Sequence, residues 1–228
     1  MVKTPDSIHE ILMFDYDGTL TLNESEIPEP TKRVLAELYE KKIVIMGMVS
    51  GRQLEYLKSA NENLGDLFSF LVAENGAISY FCDTQETHVI GKEWATKAKR
   101  VFAQSDFPIQ FFDVMGTARR EYATNVERVL KRSGLEAKVI PNKDTVMVLP
   151  PTVDKGVGVS TAVAHYGDTK SVYLTCFGDG ENDLALFAPA DFRVAMANSV
   201  AALKKVADVV TESPGGLGVE EYLRKRYF

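Results

Sequence analysis

Residues Ile11-Leu12-Met13-Phe14 form an unbroken apolar run that ends in Asp15-Tyr16-Asp17-Gly18-Thr19-Leu20. Such a run suits a strand buried on both faces, and so a parallel sheet with layers on either side. Side chains alternate along a strand, but once the chain leaves the sheet Asp15 and Asp17 can converge on one point. In open α/β sheets that point lies in the crevice at the carboxyl ends of the strands, where ligands bind. Two carboxylates there need a cation or a proton to offset their repulsion. The arrangement points to a carboxylate nucleophile, a second acid beside it and a metal holding both. An EF-hand calcium loop does not fit, because it needs glycine at its sixth position and Gly18 falls at the fourth. On this segment alone, a solvent-facing turn after a core strand stays open.

Strand and helix signals alternate further along the chain. Pro28 and Pro30 mark a turn, Thr31 is a candidate helix N-cap, and Val34, Leu35 and Leu38 share one helical face. Residues 43–49 read as a second buried strand ending at Ser50-Gly51-Arg52, and a helix follows over 53–62. Residues 68–73 read as a third strand, closed by Glu74-Asn75-Gly76. This β-α-β-α-β order implies a parallel sheet with right-handed crossovers. From Ala77 to Val148 the pattern changes to short strands (78–81, 88–90, 109–112, 137–140, 146–149) and helices near 93–104 and 122–133. That mixture predicts a separate α+β unit, which Pro150-Pro151 closes. The first pattern then resumes, with Asp154 a candidate N-cap before Lys155 and a strand over 172–177. The expectation is an α/β core formed by residues 1–76 and 152–228, split by an α+β insertion over residues 77–151.

The 228-residue chain carries a formal charge of −6, which predicts no general attraction to nucleic acid or to an anionic membrane. An anionic substrate must therefore find local cations in its site. No apolar stretch is long enough to span a bilayer, and Met1–Asp6 lacks the apolar region of a signal peptide. Cys82 and Cys176 lie far apart and read as reduced thiols. Asn23-Glu24-Ser25 matches the glycosylation triplet but has no use without secretion. These features predict a cytoplasmic protein, a monomer or homodimer. His9, His88 and His165 show no ligand spacing, and Trp94 reads as a packing residue.

Polar residues at several strand ends of one parallel sheet face a common crevice. Asp15 and Asp17 follow the first strand, Ser50 the second, and Gly178-Asp179-Gly180-Glu181-Asn182-Asp183 a strand of the second half, while Lys155 opens a helix between them. The last loop resembles half of a dinucleotide loop, but its cluster of acids would repel a pyrophosphate. Hard oxygen ligands on Asp15, Asp17 and Asp179 favour magnesium. Ser50 and Lys155 can hold the oxygens of a phosphoryl group, and Asp17 can move a proton to and from the ester oxygen. A small phosphorylated metabolite is the expected partner.

Taken in this order, the four elements resemble the motif signature of the haloacid dehalogenase superfamily of phosphatases, over nearly the whole chain. Glu74-Asn75-Gly76-Ala77 and Asp154-Lys155-Gly156 are similar to the subfamily with a type IIB cap. The resemblance implies a Rossmann-like parallel-sheet core with an inserted α+β cap, and Asp15 as the residue phosphorylated. It implies Asp17 as general acid and base, with its backbone carbonyl on Mg2+, Asp179 as a further metal ligand and Asp183 as a supporting carboxylate of that site. Asn182 would help hold the phosphoryl group or the lysine. The short cap and Arg119-Arg120-Glu121-Tyr122 are similar to archaeal phosphoglycolate phosphatases, which makes 2-phosphoglycolate the leading substrate and Arg120 the candidate reader of its carboxylate. Sugar-phosphate and mannosyl-3-phosphoglycerate phosphatases are alternatives, and a phosphomutase a more distant one.

Overall fold

The computed structural model describes residues 10–22, 26–166 and 172–228. The N-terminal stretch, His9 and the Asn23-Glu24-Ser25 triplet lie outside the described residues. In chain order the elements are β1 (Glu10–Asp15), α1 (Glu29–Lys41), β2 (Ile45–Val49), α2 (Leu54–Glu62), β3 (Phe70–Ala73), β4 (Ile78–Phe81) and β5 (Thr87–Val89). There follow α3 (Lys92–Phe102), β6 (Gln110–Phe111), β7 (Gly116–Arg119), α4 (Ala123–Ser133), β8 (Lys138–Asn142) and β9 (Thr145–Leu149). The chain ends with α5 (Lys155–Tyr166), β10 (Tyr173–Gly178), α6 (Asp183–Phe187), β11 (Phe192–Ala195), α7 (Ala201–Lys204), β12 (Val209–Val210) and α8 (Gly215–Tyr227).

Ile11 to Phe14 are wholly buried, and their alternation divides them between two cores. Leu12 and Phe14 pack with Val34, Leu35 and Leu38 of α1 and Val219 and Leu223 of α8. Ile11 and Met13 pack with Val159 and Val163 of α5, Leu186 and Phe187 of α6 and Leu203 of α7. Helices therefore cover both faces of the sheet, as the unbroken apolar run requires. Phe14 stacks on Phe177 of β10 at 4.5 Å between ring centroids, which locks the two central strands together.

The sheet order is β12-β11-β10-β1-β2-β3-β4-β5. The strands from β12 to β3 run parallel, and β4 and β5 are antiparallel additions at one edge. Connections proceed one way from β1 and the other way from β10, so the strand order reverses between these two. Their carboxyl ends, at Asp15 and Gly178, form the switch-point crevice where such sheets bind ligands.

β4 and β5 differ from expectation. The sequence pattern puts them in the inserted unit, but only four residues join β3 to β4, and so short a link permits only antiparallel pairing with the neighbouring strand. The expected division at residue 77 falls inside this hairpin. The second sheet, β6-β7-β9-β8, is antiparallel and lies between Lys92 and Leu149 with α3 and α4. Phe102, Val126, Leu130, Val146 and Val148 form its separate core. β7 escaped the sequence reading because Gly-Thr-Ala-Arg offers no apolar alternation. Thr31 also moves: α1 begins at Glu29 with Pro28 at its N-cap, so Thr31 sits inside the first turn.

The turn between β3 and β4 connects the two units. Glu74, Asn75 and Gly76 all have positive φ (49°, 56° and 103°), which two non-glycine residues adopt only under strong constraint. The constraint is visible. The Glu74 and Asn75 N–H groups donate to Arg52 O and Ser50 O, each at 2.9 Å. A side chain at Gly76 would meet the Asp154 carbonyl oxygen at 2.0 Å. The buried Glu74 carboxylate accepts from the N–H groups of Asp113 (2.9 Å), Val114 (2.7 Å) and Met115 (2.8 Å), a nest in the smaller unit. Glu74→Ala would strand these donors. It should lower unfolding stability in urea by about 3 kcal/mol, and hydrogen exchange at the 113–115 amides should accelerate more than elsewhere.

Candidate active site

Asp15 ends β1 and is buried. After it the chain makes a tight turn over Tyr16–Leu20, broken at Asp17 and Gly18. Gly18 has φ +96°, and a Cβ there would lie 2.3 Å from Asp179 Oδ2. Only glycine lets this loop approach the one after β10 so closely.

Lys155 is the first residue of α5, whose N-terminus is capped by Asp154 Oδ1 accepting from Val157 N at 3.0 Å. The ammonium is only 1% exposed and donates to Asp15 Oδ1 and to Asp183 Oδ1, each at 2.6 Å. The other oxygen of Asp183 accepts from the N–H groups of Asp179 and Gly180, both at 2.8 Å. Asp183 therefore fixes the lysine and the loop carrying Asp179. Burial, then the charge of Asp183, raises the Asp15 pKa well above the usual carboxylate range, and Lys155 only partly opposes this. Asp179 is pushed up to about 6 by burial and then by Asp183. For Lys155, burial favours the neutral amine, but Asp15 and Asp183 outweigh it and raise the pKa, so the group stays an ammonium.

Oxygens of Asp15, Asp179 and Asp183 lie within 4.8 Å of one another. These three carboxylates outnumber the ammonium groups of Lys155 and Lys143 that touch them, and every donor is a hard oxygen. The cluster fits a hard divalent cation, whose charge would offset the surplus. Asp15 and Asp179 are the side chains best placed to hold it. The Asp17 side chain is engaged elsewhere: Arg52 Nε and Nη2 donate to its two oxygens at 3.0 and 2.7 Å, and Ser50 Oγ donates at 3.3 Å. Its backbone carbonyl shares a cation with Asp179: Lys143 Nζ lies 3.5 Å from Asp17 O and 3.6 Å from Asp179 Oδ2.

Asp15, Asp17, Ser50, Asp179 and Asn182 line a cavity of about 560 Å³, roofed by Phe112, Met115, Thr117 and the β8–β9 turn of the smaller unit. Asn182 Nδ2 donates to Asn75 Oδ1 at 3.0 Å, away from Lys155. Lys155 lies beneath the cavity floor, so here it holds Asp15 rather than lining the open space. Arg120 departs from expectation, since it does not line the cavity. It is exposed and outside the cavity, with Nη1 donating to the Lys143 carbonyl at 2.8 Å, because the turn at residues 120–122 lies against the outer side of the β8–β9 hairpin.

Four site residues escaped the sequence reading. Arg52 sits two residues after Ser50, at the end of the Ser50-Gly51-Arg52 segment, and that closeness was its signal. Asn75 lay in a quoted segment but carried no role. Asn198 donates to Gly18 O (2.9 Å) and Asp179 Oδ2 (3.2 Å) from a loop without pattern. Lys143 stands at a hairpin tip, and no local signal says which tip meets the core. Cys82 and Cys176 are both free thiols, and Trp94 Nε1 donates to Glu136 O at 2.7 Å, a packing role. No described helix is long and apolar enough to cross a membrane.

The comparisons with known proteins agree with this geometry. Residues 12–144 and 109–223 match the haloacid dehalogenase-like hydrolases. The phosphoglycolate phosphatase 2 of Saccharolobus solfataricus is 29% identical over 95% of this chain and 92% of its own length. The phosphoglycolate phosphatase of Methanopyrus kandleri is 30% identical over 94% of this chain and 96% of its own. A solved subclass IIB sugar phosphatase of the superfamily superposes with a TM-score of 0.74 at 18% identity, covering 95% of this chain and 98% of that one, which establishes a shared fold with its cap. The chain belongs to the haloacid dehalogenase-like hydrolase family.

Proposed function

We propose that this protein is a magnesium-dependent phosphomonoester hydrolase that passes the phosphoryl group through Asp15, with 2-phosphoglycolate as its substrate. The observation that carries the chemistry is the Asp15 carboxylate, fixed by Lys155 at the floor of the cavity with Asp17 two residues on. The names of the curated relatives support the substrate.

In this reading an Asp15 oxygen attacks phosphorus, and the bond from phosphorus to the ester oxygen breaks. Lys155 holds Asp15 through one oxygen and so orients the other. Protonated Asp17 gives its proton to the departing oxygen, for which it must exchange Arg52 and Ser50 for the substrate. Asp17 then takes a proton from the water that attacks the phosphorylated Asp15, releasing inorganic phosphate and restoring both carboxyl groups. Mg2+ held by Asp15, Asp179 and the Asp17 carbonyl would neutralise charge on the phosphoryl oxygens. The roof over the cavity limits access of bulk water.

A cavity of about 560 Å³ also has room for a sugar phosphate, so the second reading is a sugar-phosphate phosphatase. Phosphate release from a panel of esters separates the two. The expected outcome is the highest kcat/KM for 2-phosphoglycolate, while a hexose phosphate at the top moves the protein to the second reading. Asp15→Asn should lower kcat by about 10⁴-fold or more, with an unchanged circular dichroism spectrum. Residual turnover near the wild-type level in that variant would reject Asp15 as nucleophile.

The pH dependence has a definite sign. A carboxylate whose pKa is raised on folding binds protons in the native state first, so its contribution to stability falls as pH rises from about 4 to about 6, the value for Asp179. Metal binding reverses this, because the ligands must lose their protons. Calorimetric titration with Mg2+ should therefore show tighter binding at pH 7 than at pH 5, and the metal should raise Tm more at the higher pH. Equal affinity at both values would contradict the coupling.

A further inference from the structure

The β8–β9 turn brings an ammonium from the smaller unit into the acidic cluster of the core. Asn142, Lys143, Asp144 and Thr145 all line the cavity. Lys143 has φ +49°, a conformation that a lysine adopts only when its surroundings hold it there. Arg120 supplies much of that hold: its backbone N–H donates to Asp144 O and its guanidinium to Lys143 O, both at 2.8 Å. Thr145 Oγ1 closes the turn onto Asn142 O at 2.9 Å. The backbone is braced, whereas the side chain is 55% exposed and touches its acceptors at only 3.5 and 3.6 Å.

Two cationic side chains line the cavity among the described residues, Arg52 and Lys143. Arg52 commits its fork to Asp17. Lys143 is held loosely, and at a place that decides its use. Its acceptors, Asp17 O and Asp179 Oδ2, belong to the oxygen set that fits a divalent ion. Such an ion would repel the ammonium and turn it toward the cavity. Asp179 and Asp15 have oxygens within 4.8 Å of each other, so the lysine is anchored close to the point where phosphorus must meet Asp15.

We propose that Lys143 is a specificity-determining residue, reading an anionic group of the substrate that lies only a few bonds from the phosphoryl group. The fitting class is a short phosphorylated carboxylic acid, and Arg120 acts through Lys143 as a brace for its turn. This rests on the phosphatase reading above.

The test compares wild type, Lys143→Met and Lys143→Arg on 2-phosphoglycolate and on 2-hydroxyethyl phosphate, a neutral-ended ester of similar size. Wild type should prefer the carboxylate ester. In Lys143→Met, kcat/KM for that ester should fall about 10- to 100-fold, chiefly through KM, and for the neutral-ended ester by a few-fold at most. Lys143→Arg should recover most of the preference. An equal loss on both esters, or none on either, overturns the proposal. A wild type that turns over both esters without preference overturns the phosphoglycolate reading itself, and the wild-type arm alone reveals it. Mn2+ binding followed by electron paramagnetic resonance needs no turnover. Lys143→Met should bind Mn2+ several-fold more tightly, since a competing ammonium is gone, and unchanged affinity would also overturn the proposal.

Discussion

The buried ammonium of Lys155 is the interaction on which this site depends. Placing Asp15 and Asp183 in the interior without a counter-charge would carry a prohibitive desolvation cost. A single ammonium 2.6 Å from each makes the pair tenable and fixes their separation. It does so from the first turn of α5, which Asp154 caps, so helix start and site geometry are one construction. Asp183 passes the constraint on through two backbone N–H groups to the loop bearing Asp179. The result still holds more negative charge than positive, and burial first, then the neighbouring Asp183 charge, raises the pKa values of Asp15 and Asp179. A divalent ion and a phosphoryl group are the natural complements to a site built in this way.

The smaller unit meets this core through charged contacts that differ in character. Glu74 grips a nest of backbone amides in a buried setting, and Lys138 pairs with Asp154 at 2.5 Å beside the start of α5. Both fix where the roof stands. Lys143 instead reaches the core with long contacts and a half-exposed side chain. In the proposed reading, this layout divides the labour: strand ends of the core would hold the phosphoryl group, and a hairpin tip would read what lies next to it.

The fold was legible in the sequence wherever an element sat on a local pattern. The apolar run before Asp15 announced a two-faced buried strand, and Ile11 to Phe14 divide between two helical layers as that pattern demands. Asp15, Asp17, Ser50, Asp179 and Asn182 meet around one cavity, with Lys155 and Asp183 beneath it. Local pattern also misled. The pattern puts the strands expected at 78–81 and 88–90 in the insertion because they are short and close together, yet β4 and β5 extend the main sheet as a hairpin. Arg120 drew attention for its chemistry in a cluster of charges, and its contact turned out to be a backbone carbonyl on the outer side of the roof.

What the sequence determined by itself is the core and the acids at its strand ends, because burial on both faces of a strand and acids at its carboxyl end are properties of neighbouring residues. Strand alternation and helix caps act over a few positions and leave their mark on the letters. Tertiary structure alone decided which residues of the smaller unit reach the site. Glu74 and the 113–115 amides are about forty positions apart, as their bonds record. Lys143 and Asp17 are separated by 126. No periodicity links such positions; only the packing of one unit over the other brings a hairpin tip, and not Arg120, to the acids of the core.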